Sequence, residues 1–171
     1  MEALKARIRH VPDFPKAGIL FFDVTTLLRD PEGFKLTIDA MASPFQNRGI
    51  EVVVGIESRG FILGAAVADR IGAGFIPVRK LGKLPAATVR ASYDLEYGSD
   101  SLEMHRDAIE PGQRVLVVDD LLATGGTASA TIDLVKQLGG KVEGVSFLIE
   151  LVELNGRTRL AGEHVTAVLK Y

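Results

Sequence analysis

The sequence predicts an α/β fold in which a twisted, mainly parallel sheet is flanked by helices. Short apolar runs of strand length alternate with stretches whose apolar residues recur at helical spacing. The run at residues 115–118 has no polar alternation, which is typical of a parallel strand covered on both faces. Polar and glycine-rich residues follow this run, and ligands bind at that end of the strands in such sheets. A ligand crevice is therefore expected there.

The composition fits one domain. The 171 residues, 47% of them hydrophobic, can bury one sizeable core. Twenty basic and 22 acidic residues leave a net charge of −2, so no global positive field draws the chain to nucleic acid or an anionic membrane. The sequence has no cysteine, no apolar run of membrane-spanning length and no cleavable apolar signal at its start. We expect a single domain over residues 1–171, without nucleic-acid or membrane partners, in the cytoplasm.

The predicted elements begin with a short helix. Leu4, Ile8 and Val11 share one helical face, and two prolines then favour an extended segment that carries residues 19–22. Residues 80–98 have weak periodicity and predict a long mobile connection or a hairpin. We expect the remaining helices at residues 31–45, 61–71 and 131–138, and the remaining strands at residues 52–56, 75–78, 115–118, 142–151 and 165–169.

The strand at residues 115–118 leads into a segment suited to binding phosphate. Gly125 and Gly126 allow positive φ and leave their N–H groups exposed, while Thr124 and Thr127 add hydroxyl donors. The stretch that follows is helical in pattern, so the N-terminal end of a helix dipole points at the same place. These features predict a phosphate site.

Two acids at the carboxyl end of this strand, Asp119 and Asp120, limit which phosphate-containing ligands can bind there. Carboxylates repel a phosphate unless they face hydrogen-bond donors, such as the vicinal hydroxyls of a ribose. A ribose 5-phosphate group satisfies both requirements. A nucleoside triphosphatase is disfavoured because its P-loop needs a Lys after the glycines, and the first one here is Lys136. The alternative is that the acids begin a polar loop and the glycines make a tight turn.

The segment VLVVDDLLATGGT (residues 115–127) resembles the signature for phosphoribosyl pyrophosphate (PRPP) of the type I phosphoribosyltransferases. The chain is similar to the adenine-specific members of this family along nearly its whole length. Four companion segments occur in the family's order: PDFPKAGILFFDVT (residues 12–25), GIESRGFILG (residues 55–64), PVRKLGKLP (residues 77–85) and YDLEYG (residues 93–98). The resemblance implies the type I phosphoribosyltransferase fold, with a small N-terminal hood at about residues 1–30 over a core at about residues 31–171.

The resemblance also implies an enzyme of purine salvage, a glycosyltransferase that forms AMP and pyrophosphate from adenine and PRPP. Asp119 and Asp120 are then expected to hold the ribose hydroxyls. The residues implied to hold the 5-phosphate are Ala123, Thr124, Gly125, Gly126 and Thr127. Mg²⁺ is expected to arrive bound to PRPP rather than in a site of the protein, because it usually keeps water and phosphate ligands. A homodimer is implied by the family alone.

The motif ESRG (residues 57–60) also follows an apolar strand and precedes a helix. In the resembled family it is the pyrophosphate loop, in which backbone amides and Arg59 meet the leaving group and a non-proline cis peptide is common. The alternative role of Arg59 is an ordinary salt bridge. Arg79, Lys80 and Lys83 follow the next strand, and departing pyrophosphate needs such positive charge. Arg79 is implied to serve the neighbouring subunit of a dimer, while a solvated face is the alternative for Lys83.

Glu96 and Tyr97 match family residues that act near the reacting base. Adenine attacks through a ring nitrogen whose proton must be transferred, and a carboxylate such as Glu96 can orient the base and manage that proton. Tyr97 can cover the reacting centre and exclude water. The alternative is a solvent-facing Glu and a packing Tyr on a hairpin.

Base recognition is expected in the extended segment at Leu20, Phe21 and Phe22. Phe21 can stack on a purine and the backbone of Leu20 can hydrogen-bond its edge. The alternative is that both phenylalanines are core residues. The family commonly has Arg or Lys before Asp23, whereas this chain has Phe22, which removes a cationic contact and leaves other 6-substituted purines open as substrates.

Two other functions stay open at this point. A guanine, hypoxanthine or xanthine transferase would share the PRPP half of the site, and only the hood sequence distinguishes it. A PRPP-sensing regulator without catalysis would use the same fold. Such regulators usually carry a DNA-binding extension, and this sequence has no basic helix-turn-helix pattern.

Overall fold

The computed structural model describes residues 1–94 and 98–171. The α-helices are α1 (Glu2–Lys5), α2 (Thr25–Leu28), α3 (Pro31–Ala42), α4 (Arg59–Ile71) and α5 (Gly126–Gln137). The strands are β1 (Arg9–Pro12), β2 (Leu20–Asp23), β3 (Val52–Ile56), β4 (Gly74–Lys80), β5 (Thr88–Asp94), β6 (Ser99–His105), β7 (Arg114–Leu122), β8 (Lys141–Glu150) and β9 (Val165–Lys170). Short 3₁₀ turns lie at Ser43–Phe45, Val152–Leu154 and Gly156–Leu160. No helix in these two ranges is long and apolar enough to cross a membrane.

Seven strands form one sheet in the order β5-β6-β4-β3-β7-β8-β9. The strands from β4 to β9 in this order pair in parallel, whereas β6 is antiparallel to both β4 and β5. An apolar layer covers each face, with α5 packed on one and α3 and α4 on the other. The predicted α/β fold with a mainly parallel, helix-flanked sheet is therefore confirmed.

Local signals decide where α3 begins and ends. Asp30 accepts a hydrogen bond from the Gly33 N–H at 3.1 Å, and Pro31 occupies the first helical position, where an N–H would have no helical partner. The helix ends at Ala42 instead of continuing to residue 45 as predicted. Pro44 has no N–H to extend the helical ladder, so a 3₁₀ turn follows.

The predicted starting helix is wrong beyond its first turn. α1 has four residues, and Val11 lies in β1, opposite Phe21 of β2 in an antiparallel pair. So short a helix is costly to nucleate, whereas strand pairing gives the backbone groups partners. β1 and β2 form a two-stranded sheet separate from the seven-stranded one.

The hairpin alternative holds for the predicted connection at residues 80–98. β5 pairs with β6, with Thr88 opposite His105 and Asp94 opposite Ser99. The sequence does not predict β6, because some of the buried residues of this strand are polar and do not mark a buried face. Glu103 is 2% exposed there, and its carboxylate accepts hydrogen bonds from Arg90 Nε at 2.7 Å and from the Gly82 N–H at 2.9 Å.

Candidate active site

A cavity of about 960 Å³ opens where β3 and β7 end. Its lining comes from β3 and the start of α4, from β7 and residues 123–127, from the end of β5, and from the 3₁₀ turns near the C-terminus. The ends of two neighbouring parallel strands thus meet at one site, as expected for a ligand crevice. We call this cavity the crevice and residues 123–127 the glycine loop.

The glycine loop is fixed by close approach of backbones. Gly125 has a φ of 82° and directly precedes α5. A Cβ on Gly125 would lie 2.5 Å from the Gly156 carbonyl oxygen, and a Cβ on Gly156 would lie 2.3 Å from the Ala123 carbonyl oxygen. Only glycine fits at both positions. The residues predicted to hold phosphate all line the crevice at the N-terminus of α5: Ala123, Thr124, Gly125, Gly126 and Thr127.

Asp119 and Asp120 line the same crevice, and each is 8% exposed. They lie inside β7, which continues to Leu122, so they are strand residues rather than the start of a loop. Burial, and then the charge of Asp120, raises the pKa of the Asp119 carboxyl well above its ordinary value. The Asp120 N–H donates to Asp119 Oδ1 at 2.9 Å, and a Cβ on Gly60 would lie 2.8 Å from that oxygen. The strand therefore holds two carboxylates at the crevice.

Arg59 is the first residue of α4 and also lines the crevice. Its Nε donates to Asp120 Oδ2 at 2.5 Å, and its guanidinium carbon lies 5.4 Å from the centre of the Phe21 ring. The salt bridge and the crevice position expected for Arg59 are thus both present. The Glu57–Ser58 peptide bond is cis, as the resemblance implies.

Arg79, Lys80 and Lys83 lie beside the crevice and are not among its described lining residues. The Glu57 carboxylate connects them. Its donors are Lys83 Nζ at 2.9 Å, Arg79 Nη2 at 3.3 Å and the Lys80 N–H at 2.6 Å. Burial of Glu57 raises its pKa, but these hydrogen bonds outweigh burial and the pKa is lowered. Lys80 Nζ pairs with Asp100 Oδ2 at 2.9 Å.

The sequence does not single out Glu57 or Asp100 as functional residues. A signal for Glu57 exists in the register of the sheet, because Ile56 pairs with Val78 in parallel and the next residues on the two strands are Glu57 and Arg79. That register becomes known only with the fold.

The hood strand β2 directs its two phenylalanines to different neighbours. Phe21 packs edge-on against Phe14 at 5.1 Å and lies near Arg59 at the crevice. The Phe22 ring lies 4.2 Å from the ring of Tyr171, the last residue. Phe22 therefore packs against the end of the chain, while Phe21 is the one that approaches the crevice.

The crevice lining differs from the set of site residues that the sequence predicts. Leu20 is 46% exposed, and neither Leu20 nor Phe21 is among the described residues that line the crevice. Glu96 and Tyr97 lie outside the described residues. The lining residues that the sequence does not predict are Ile56, Glu57, Ser58, Tyr93, Asp94, Leu121, Leu154 and Arg159. Arg159 belongs to a 3₁₀ turn with no motif of its own, so no local pattern marks it.

The fold and crevice have counterparts in known proteins. Residues 23–157 match the phosphoribosyl transferase domain family. The adenine phosphoribosyltransferase of Acidobacterium capsulatum is 59% identical over 170 residues, which cover 99% of this chain and 94% of that protein. The crystal structure of adenine phosphoribosyltransferase from Rhodothermus marinus is 58% identical, with a TM-score of 0.95 over 99% of this chain and 97% of that one.

A third similarity is to a protein solved with ligands. Adenine phosphoribosyltransferase of Saccharomyces cerevisiae, complexed with adenine and an imino-altritol bisphosphate, is 41% identical with a TM-score of 0.93, over 98% of this chain and 97% of that one. The domain match includes the crevice residues from Arg59 to Thr127, and the full-length relatives share one name. The chain thus belongs to the phosphoribosyltransferase family, among its adenine phosphoribosyltransferase members.

Proposed function

We propose that this chain transfers the phosphoribosyl group of PRPP to adenine in the crevice, giving AMP and pyrophosphate. One observation supports this proposal: two acids, a glycine loop at a helix N-terminus and a guanidinium line the same cavity. These groups are complementary to the ribose hydroxyls, the 5-phosphate and the pyrophosphate of a single substrate. The full-length similarity to adenine phosphoribosyltransferases supports the same reaction.

The acids and the glycine loop bind the part of PRPP that is transferred. Asp119 and Asp120 accept hydrogen bonds from the ribose hydroxyls, while the loop N–H groups and the Thr124 and Thr127 hydroxyls donate to the 5-phosphate. Attack at the anomeric carbon passes through an oxocarbenium-like transition state, whose positive charge the carboxylates stabilise. Because Asp120 also pairs with Arg59, ribose binding is linked to the position of that guanidinium.

Cations beside the crevice bind the leaving pyrophosphate. Arg59 is on the crevice lining, and Arg79, Lys80 and Lys83 are gathered next to it by Glu57 and Asp100. Their charge offsets the negative charge that accumulates on pyrophosphate as its bond to carbon breaks.

Mg²⁺ enters bound to PRPP. Across residues 1–94 and 98–171, no group of three or more His, Asp or Glu side chains is placed to hold a metal ion. If Asp119 and Asp120 were the protein groups nearest to the ion, its other ligands would be mainly water and phosphate. Mg²⁺ usually has such a ligand set. When bound, Mg²⁺ supplies positive charge to the phosphates.

Adenine binds between the hood and the crevice. Phe21 stacks on the purine and the Leu20 backbone hydrogen-bonds its edge. Glu96 orients the base and manages its proton, and Tyr97 covers the reacting centre. Phe22 packs against the last residue of the chain, so the departure from the usual Arg or Lys alters hood packing and leaves Phe21 on the adenine side. Replacement Glu96→Gln should lower kcat more than the affinity for PRPP.

We also propose that residues 1–30 form a hood over a single domain. The two-stranded sheet, which is separate from the seven-stranded one, supports this division. The resemblance to the family supports a homodimer in which Arg79 reaches the neighbouring subunit's ligand. The cysteine-free sequence is compatible with a cytoplasmic location. Sedimentation at several protein concentrations measures the dimer directly.

Base selectivity tests the function. The purified protein is incubated with PRPP and Mg²⁺ and, in parallel, with adenine, hypoxanthine, guanine or xanthine, and nucleotide and pyrophosphate are measured. We expect AMP from adenine and no nucleotide from the other bases. Turnover of another base would keep the PRPP site and contradict the base assignment. PRPP binding without turnover of any base would indicate a sensor.

A further inference from the structure

The glycine loop lies in a part of the crevice that has more acids than unpaired cations among its described lining residues. Four acids are among its described lining residues: Glu57, Asp94, Asp119 and Asp120. The glycine loop itself contributes only neutral donors, the backbone N–H groups and hydroxyls of residues 123–127. The N-terminus of α5 adds a partial positive charge of about one half. A cation at the loop would offset more of the charge of a phosphate that carries nearly two negative charges.

The cations already assigned to pyrophosphate are engaged elsewhere. Arg59 pairs with Asp120, and the other three cations pair with Glu57 or Asp100. Arg159 also lines the crevice. Within the described parts of the chain, its guanidinium makes no hydrogen bond or ion pair.

The position of Arg159 is set by the packing of its turn on the glycine loop. A Cβ on Gly125 would lie 3.3 Å from Arg159 Cβ, and a Cβ on Gly126 would lie 3.6 Å from Arg159 Nη1. The guanidinium therefore lies beside the first residue of α5, where the helix N–H groups are directed at the ligand.

Neighbouring residues hold this turn in place independently of any ligand. Arg157 donates from Nε and Nη2 to the Glu150 carboxylate at 2.6 and 2.8 Å, and Leu160 is buried. The backbone of Gly156 meets the glycine loop as described above. The exposed Arg159 side chain thus projects from a fixed base.

We propose that Arg159 is a further substrate-binding residue, which contacts the 5-phosphate of PRPP and AMP. The proposal rests on the proposed function, because it takes the glycine loop as the 5-phosphate site. Arg159 lies beyond residues 23–157, the part of the chain that matches the phosphoribosyl transferase domain family. Its planar fork of donors suits two phosphate oxygens, and the contact adds charge that the loop lacks.

The proposal predicts a loss confined to ligands that carry the 5-phosphate. Replacement Arg159→Gln should weaken AMP binding and raise the KM for PRPP by about tenfold or more, since a charge-assisted contact is lost. Affinity for pyrophosphate and the KM for adenine should stay within about twofold, because those ligands do not reach the 5-phosphate end. Arg159→Lys keeps the charge and should give an intermediate loss.

Calorimetry with AMP and adenosine isolates the phosphate, since the two ligands differ only in that group. Wild type should prefer AMP, and R159Q should lose most of this preference, whereas adenosine binding should not change. The control is Arg106→Gln, an exposed Arg that is not among the described lining residues and that loses the same charge. Thermal unfolding of each variant checks that it is folded.

Two outcomes would overturn the role of Arg159. In a folded protein, R159Q could match R106Q in AMP affinity, or it could lose AMP and adenosine affinity equally. Ribose 5-phosphate is the probe that separates this proposal from the proposed function. If wild type makes no AMP but binds ribose 5-phosphate about tenfold more tightly than R159Q does, the reaction is wrong and the phosphate contact stands.

Discussion

The glycine loop and the hood are held in place by different kinds of contact. Backbone atoms of the loop meet the backbone of Gly156 so closely that no side chain fits between them. The hood instead depends on rings: Phe22 lies 4.2 Å from Tyr171 and 5.1 Å from His10. An exposed ion pair between Arg9 and Asp23 adds to it.

In the proposed function, this difference separates the binding sites of the two substrates. PRPP would bind a part of the protein whose shape is fixed by main chain, so changes there should act strongly. Adenine would bind a strand that is held by side chains distant in sequence, so changes there should be graded and selective for the base.

The largest effect is expected from the two crevice acids. Replacing Asp119 and Asp120 together by Asn should lower kcat by at least about a thousandfold, because the ribose hydroxyls lose charged acceptors. The fold should persist, since Asn keeps the volume of Asp. Steady-state kinetics with PRPP and adenine measure the loss, and circular dichroism checks the fold. Near-normal activity would remove the ribose-binding role, and Asp69→Asn at the exposed end of α4 is the control.

The second effect concerns the backbone contact under the glycine loop. Gly156→Ala should raise the KM for PRPP about tenfold and destabilise the fold by about 1–3 kcal/mol, because the new Cβ collides with the Ala123 carbonyl. Gly74→Ala is the matched control, since a Cβ there would lie 3.5 Å from its nearest neighbour, Val52 Cγ1. If the two variants had the same KM for PRPP and the same stability, the glycine loop would be able to move aside for the added Cβ.

The same contrast explains what the sequence can predict. The acids, the glycines and Arg59 follow apolar strands directly, so parallel strands bring them to one edge and local pattern is sufficient. Arg159 and Tyr171 reach their positions only through tertiary packing, and nothing next to them in the sequence indicates their neighbours. In the sequence, β6 resembles a polar segment because it contains Glu103. Only the structure shows that this Glu is buried and that its carboxylate accepts three hydrogen bonds.

A third effect should appear at the hood. The Tyr171 backbone is fixed to the end of β8, where its N–H donates to the Glu150 carbonyl at 3.0 Å, while its ring packs on Phe22. Tyr171→Ala should raise the KM for adenine about fivefold, equivalent to about 1 kcal/mol of lost ring packing, with no change in the KM for PRPP. Initial rates at varied concentrations of each substrate measure both constants.

Tyr171→Phe is the control for the hood. The Tyr171 hydroxyl is buried and has no hydrogen-bond partner among the described residues, so its removal should not weaken adenine binding and should not destabilise the fold. An equal rise in both KM values for Tyr171→Ala would show that the ring supports the whole crevice and not the hood alone.

The last effect is on stability rather than on activity, and it has opposite signs in the two regions. Burial raises the pKa of Asp119, so the folded state binds this proton more tightly than the unfolded state does. The resulting stability is present below the ordinary value of 3.8 and is lost as pH rises through the raised pKa. Asp119→Asn should therefore raise the free energy of unfolding at pH 7, and this gain should shrink as pH falls towards 4.

Asp23 in the hood behaves in the reverse way. Its hydrogen bond from the Thr25 hydroxyl, and then those from Arg9 and the Thr25 N–H, lower its pKa to about 2. The stability it contributes is present above 3.8 and is lost as pH falls through about 2. Asp23→Asn should thus lower the free energy of unfolding at pH 7, by on the order of 1–2 kcal/mol because the exposed Arg9 is screened by solvent. Urea unfolding of both variants at pH 7, 5 and 3 measures the two effects. A loss of stability at pH 7 in both variants would contradict the raised pKa of Asp119, because it would show that neighbouring groups stabilise the charged Asp119 as they stabilise Asp23.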